Sequence, residues 1–125
     1  MRKAVKLNLN GTVEILDLDA PEGSLSVLQT AVDGMIEIIR IQSGVDMYIN
    51  EEGKYTQTIN HYATALFQTT FNTRDYINGA VVFTGGVDDE GLDKGATDEI
   101  EEVVRSFKAR IEAKNPTLRD GVITE

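Results

Sequence analysis

Val45-Asp46-Met47-Tyr48-Ile49-Asn50-Glu51-Glu52-Gly53, Asn60-His61-Tyr62-Ala63-Thr64-Ala65-Leu66 and Val82-Phe83-Thr84-Gly85-Gly86-Val87-Asp88-Asp89 are three polar-marked blocks set among apolar runs. In the first, Val45, Met47 and Ile49 alternate with Asp46, Tyr48 and Asn50, the period of a strand with one apolar face, and Glu51 to Lys54 turn the chain. In the second, Asn60 suits the N-cap of a short helix in which Ala63, Leu66, Phe67 and Thr70 share a face. In the third, Ala80-Val81-Val82-Phe83 is a short apolar run that reads as a central strand, stopped by Gly85-Gly86.

Toward the start, Lys3 to Leu9 and Thr12 to Leu18 flank Asn10-Gly11, a strong hairpin signal. Ala20-Pro21-Glu22-Gly23 breaks the pattern, and Ser24 then suits the cap of a helix with Leu25, Leu28, Ala31 and Val32 on one stripe. Gly34 suits the left-handed position that ends it. Met35 to Ile41, rich in isoleucine, reads as a well-buried strand, and Gln42-Ser43-Gly44 turns it into the strand at Val45.

Toward the end lies the clearest helix. Thr97 caps it, Asp98 and Glu99 open it where the helix dipole favours acids, and Lys108, Arg110 and Lys114 sit late where it favours bases. Ile100, Val103, Val104, Phe107 and Ile111 form one stripe, and Asn115-Pro116 ends it. The order ββ-α-ββ-α-β-α predicts an α+β domain: a mostly antiparallel sheet with helices on one face. Residues 1–96 read as the domain, 97–115 as an amphipathic helix appended to it and packed on it or on a second subunit, and 116–125 as a tail.

The 125 residues are one domain's worth of chain, enough for a core without staples. The absence of cysteine removes disulfides, thiolate metal sites and a cysteine nucleophile. No apolar run approaches the roughly 18 residues of a membrane span, and the polar alternation of the start is unlike a secretory leader, so the expected location is cytoplasmic. Net charge is −9. Phosphate neutralisation needs a basic face, which this chain lacks, so direct nucleic-acid binding is not expected. Acids concentrate between Asp88 and Glu102, where eight face only Lys94. Such a run reads first as a solvated loop and helix start, and second as a surface for a basic partner.

Tested for chemistry, the polar residues fall short of an enzyme. His61, the only histidine, has no evident orienting acid and no second histidine or cysteine for a metal; it reads as a surface or capping residue. Thr84-Gly85-Gly86 lacks the spacing of a phosphate loop, and Asp88, Asp89 and Glu90 would repel a phosphate. The same acids lack calcium-loop spacing. The serines have no nucleophile-elbow context. Tyr48, Tyr55, Tyr62, Phe67 and Phe71 gather most of the aromatic content in the middle third. An aromatic stripe is more often core, yet this is where a ligand bearing a base would find ring faces.

The leucine-containing helix leading to Gly34-Met35-Ile36-Glu37, the Asp46-to-Gly53 block, Asn60-x-x-Ala63-Thr64-Ala65-Leu66 and Ile77-x-Gly79-x-Val81-Val82-x-x-Gly85 together resemble the domain of unknown function 3846 family. The resembling stretch covers roughly residues 12–92, and the helix from 97 looks like an addition beyond it. The resemblance implies a small accessory protein of phage type, found in the host cytoplasm if phage-encoded, without an assigned reaction.

The expected function is therefore non-enzymatic: capture of a small molecule, such as a nucleotide signal of host defence, by a homo-oligomer that needs no cofactor, metal or membrane. The candidate ligand contacts are Tyr48, Asn50, Asn60, His61, Thr64 and Thr84, drawn from the aromatic third and its turns. The alternative is an inhibitor presenting acids in place of DNA phosphates to a host DNA-binding enzyme. Charge density argues against its strong form. Duplex DNA carries one charge per roughly 1.7 Å, whereas the helix from 97 to 114 sets five acids against four bases over about 27 Å.

Overall fold

The computed structural model describes residues 1–116. Five strands, β1 (Lys3–Leu7), β2 (Val13–Asp17), β3 (Ile36–Gln42), β4 (Val45–Asn50) and β5 (Val81–Thr84), form one sheet in the order β2-β1-β5-β4-β3. Every neighbouring pair is antiparallel. The helices are α1 (Ser24–Val32), the single turn α2 (Gly53–Thr56), α3 (His61–Phe71) and α4 (Asp98–Lys114). The α+β class and the element order hold, with α2 added where a turn was expected. The expected tail lies outside the described residues from 117 onward.

The helices are not confined to one face. Alternation along the strands sends Val5, Leu7, Met47, Val81 and Phe83 to one side, where Leu66 of α3 and Ile100 and Val104 of α4 meet them. Ala4, Tyr48 and Val82 point to the other side, where Leu28, Ala31 and Val32 of α1 cover them. The clue was in β5: Val81-Val82-Phe83 is apolar on successive positions, which a strand needs when both its faces are buried. Residues on the α4 stripe reach the chain's own core, so the helix is packed on its own domain.

Several local expectations need correction. The first hairpin closes with a wider loop than a two-residue Asn-Gly turn: Leu7 pairs Val13, and the Gly11 N–H bonds Asn8 O at 3.0 Å. Ser24 is the first residue of α1 and Gly23 the cap position, with no side-chain cap bond. The left-handed residue ending α1 is Asp33, at φ 60°, not Gly34. Asp33 N–H bonds Thr30 O and Gly34 N–H bonds Gln29 O, the paired bonds of a Schellman end. Gly34 is required for room: a Cβ there would stand 2.6 Å from Asn50 Nδ2. Finally, β3 is an edge strand and not a buried one, with Ile38 half exposed. Its isoleucines Ile39 and Ile41 pack on the α3/α4 face only. The caps read at Asn60 and Thr97 are present, accepting from Ala63 N at 3.0 Å and Ile100 N at 3.1 Å.

Candidate functional site

The six sequence candidates are not gathered at one place. Asn50, at the end of β4, donates through Nδ2 to Val32 O and Asp33 O, each at 3.0 Å, and accepts from Glu52 N at 2.7 Å. It clamps the C-terminus of α1 to the sheet. Asn60 is fully buried; besides capping α3 it donates to Leu7 O at 3.2 Å and Gly79 O at 3.0 Å. Thr64 Oγ1 both accepts from Ile77 N and donates to Ile77 O. These three side chains are spent on backbone, which is why turn-rich chain of this kind can be buried at all. His61 opens α3, half-buried.

Tyr48 and Thr84 lie on the opposite, α1 face. Tyr48 O–H donates to Asp93 Oδ1 across the loop that follows β5. Burial first, and then the Asp93 carboxylate, push the phenol well above its ordinary range, so it stays protonated. Thr84 pairs Asp46 across β5 and β4, and both are fully buried. Asp46 Oδ1 accepts from Arg40 Nε at 3.2 Å, whereas Asp46 Oδ2 and Thr84 Oγ1 have no partner among the described residues. The expected glycine-rich turn after Thr84 is a folded-back loop. Gly85 N–H bonds Lys94 O at 3.0 Å, Lys94 N–H bonds Gly86 O at 2.8 Å, and a Cβ on Gly85 would come within 2.3 Å of Gly95 O.

An apolar cleft lies on the α3/α4 face, and none of the six candidates lines it. It holds about 380 Å³ between the β3–β4 turn, the end of α3 and the first half of α4. Phe83, Leu66 and Ile100 are shared with the core, while Ile41, Val45, Val103 and Phe107 supply the walls. Val103 belongs to the α4 stripe, yet it is 54% exposed and lines the cleft together with Gln42, Ser43 and Gly44 of the β3–β4 turn. Thr69, Thr70, Ser43 and Gln42 place polar groups around the apolar wall, and Glu99 is the one charged lining residue. An apolar chamber with a few polar groups is the usual make-up of a small-molecule site. A signal for it was present in the α4 periodicity, but its other walls come from segments far away in sequence.

A second cleft of about 280 Å³ lies on the same face toward the other end of β3, with Phe67 of α3 in its wall. Of the six candidates, only Asn50 borders it. Among the described residues no group of three or more His, Cys, Asp or Glu side chains is placed to hold a metal ion, and no helix is long and apolar enough to cross a membrane.

The chain belongs to the domain of unknown function 3846 (DUF3846) family, whose model matches residues 1–108. The match takes in the first hairpin and α4 as far as Lys108, more than the stretch of roughly 12–92 that carried the resemblance. No curated protein and no solved structure matches it.

Proposed function

We propose that this protein is a non-enzymatic binding protein that captures a small molecule in the cleft between the β3–β4 turn, α3 and α4. The observation that carries this reading is the cleft itself: about 380 Å³ walled by Ile41, Val45, Val103 and Phe107 and floored by the core. Such a wall rewards an apolar or aromatic body at roughly 25 cal/mol per Å² of apolar area buried. A nucleotide signal would fit with its base inside and its phosphates in solvent, because Glu99 stands at the lining and no lysine or arginine does.

Thermal-shift titration with indole, adenosine and adenosine monophosphate tests the reading. The expected order puts the neutral aromatics first, with adenosine at least as strong as its monophosphate. At about 100 times its Kd a ligand adds roughly 2.7 kcal/mol of stability. Val103→Glu should abolish the shift. No shift with any of the three, or an unchanged shift in Val103→Glu, would remove the cleft as the site.

The alternative of an acidic surface for a DNA-binding enzyme has less support. Lys3 Nζ engages both Asp98 and Glu101, Arg105 also bonds Glu101, and Asp88 Oδ1 accepts from Glu90 N and Leu92 N. Much of the acidic run thus serves the fold of its own loop and helix.

A further inference from the structure

The second cleft is chemically unlike the first. It is bordered by three carboxylates, Glu37, Glu51 and Asp75, and by the rings of Tyr55, Tyr76 and Phe67. One cation is already there, supplied by the chain: Lys54 Nζ sits 5.5 Å from the centre of the Tyr76 ring and is ion-paired with Asp75. An ammonium at that distance is attracted by the negative face of the ring. The pair holds the Asp75 carboxyl below its usual range, with Lys54 the largest cause. Lys54 is only half-buried and sits on a flexible stem, so it can leave.

Three features of the cleft exceed what Lys54 alone requires. Glu37 and Glu51 have no ion-pair partner among the described residues, so the lining carries three carboxylates against one ammonium. Tyr55 is 90% exposed, a large ring face held at the rim of the cleft instead of in the core. In the wall, Asn78 is only 8% exposed; its Nδ2 donates to Gln57 O at 2.8 Å, while its Oδ1, closed off from solvent, has no donor among the described residues. A buried unmatched acceptor is costly and draws a hydrogen-bond donor. Aromatic faces, surplus carboxylates and an unmatched acceptor all favour the same kind of group: a cation that donates hydrogen bonds.

We propose that this cleft is a binding site for a primary alkylammonium ion, which replaces the resident Lys54 between Tyr76 and Asp75. Lys54 then acts as a built-in placeholder that keeps the site neutralised when empty and competes with the ligand when it arrives. A diamine fits best in charge, since its second ammonium answers Glu37 and Glu51. The site is separate from the apolar cleft and does not depend on the reading given for it.

Calorimetric or NMR titration with cadaverine tests the proposal, with a peptide carrying a free lysine side chain and an acetylated N-terminus as the second arm and glutarate as the control of opposite charge. Cadaverine binding with weak peptide binding assigns a free diamine; the reverse assigns a lysine side chain of a protein partner. Lys54→Met, which removes the placeholder, should tighten binding several-fold. Tyr76→Ala and Glu37→Gln should each weaken it several-fold, and the amide signals of residues 54, 75 and 76 should move. All three positions are exposed, so circular dichroism should be unchanged. The proposal is overturned if neither amine binds wild type or Lys54→Met at millimolar concentration, if glutarate binds as well as cadaverine, or if Lys54→Met binds more weakly than wild type.

Discussion

The two faces of the sheet are closed in different ways. On the α1 face a nine-residue helix lies flat on Ala4, Tyr48 and Val82, and the remaining polar groups are drawn into a buried set around Asp46, Thr84 and Tyr48. On the other face two helices share a longer apolar surface, and the space they leave becomes two clefts, one apolar and one acidic and aromatic. The buried polar residues and the clefts therefore lie in different parts of this molecule. Asp46 and Thr84 are fully buried, and neither cleft reaches them.

The largest effects should come from residues that hold either face shut. Asn60→Ala removes the α3 cap and strands Leu7 O, Gly79 O and Ala63 N–H inside the protein. It should cost about 2–4 kcal/mol in urea unfolding. Leu28→Ala should cost a similar ~2–4 kcal/mol by opening a cavity under α1. If Leu28→Ala proved nearly neutral, the α1 face would not be the tightly closed one.

Smaller effects separate packing from site. Thr84→Val keeps shape and removes a hydroxyl that has no partner among the described residues, so stability should stay within about 1 kcal/mol of wild type and move upward if at all. A loss beyond that in urea unfolding would mean that Oγ1 does bonded work. Val103→Ser, in the cleft, should change stability by less than about 0.5 kcal/mol.

The electrostatic contribution has a definite sign. Asp19, Asp75, Asp88, Asp98 and Glu101 are all held below their ordinary values, Asp98 and Glu101 first by bonds to Lys3 and Asp19 by bonds to Arg2. Their contribution is fully present above the unfolded carboxyl range, near about 4, and is lost as pH falls through the lower folded values. Lys3 is raised, so its share is lost only above the ordinary lysine range. Urea midpoints should be flat from mild acid to mild base and fall below pH about 4.

Much of the fold was legible because its signals are local. Asn60 and Thr97 announce their helices by cap chemistry, Val45-Met47-Ile49 announces its apolar face by alternation, and the α4 stripe announces a helix by its period. Where the outcome depended on distant chain, reading failed. An isoleucine-rich run such as Ile36 to Ile41 looks the same whether the strand ends up central or at an edge, and only the pairing order decides. Helices on both faces could have been inferred from Val81-Val82-Phe83, a continuous run that one covered face does not need. The candidate site was the least legible part. Polar residues near turns drew attention, but Asn50, Asn60 and Thr64 are consumed by backbone hydrogen bonds. The apolar cleft is assembled from the β3–β4 turn, α3 and α4, and no pattern local to any one of them describes a cavity.

In the proposed function the apolar cleft, not the polar candidates, receives the ligand. Methyl NMR spectra of the protein titrated with indole test it most directly. Saturable shifts are expected at Ile41, Val45, Ile100 and Val103, with Leu28 and Val32 under α1 unmoved, and loss of the shifts in Val103→Glu. Shifts centred on the α1 face, or none at millimolar indole in a folded protein, would contradict it.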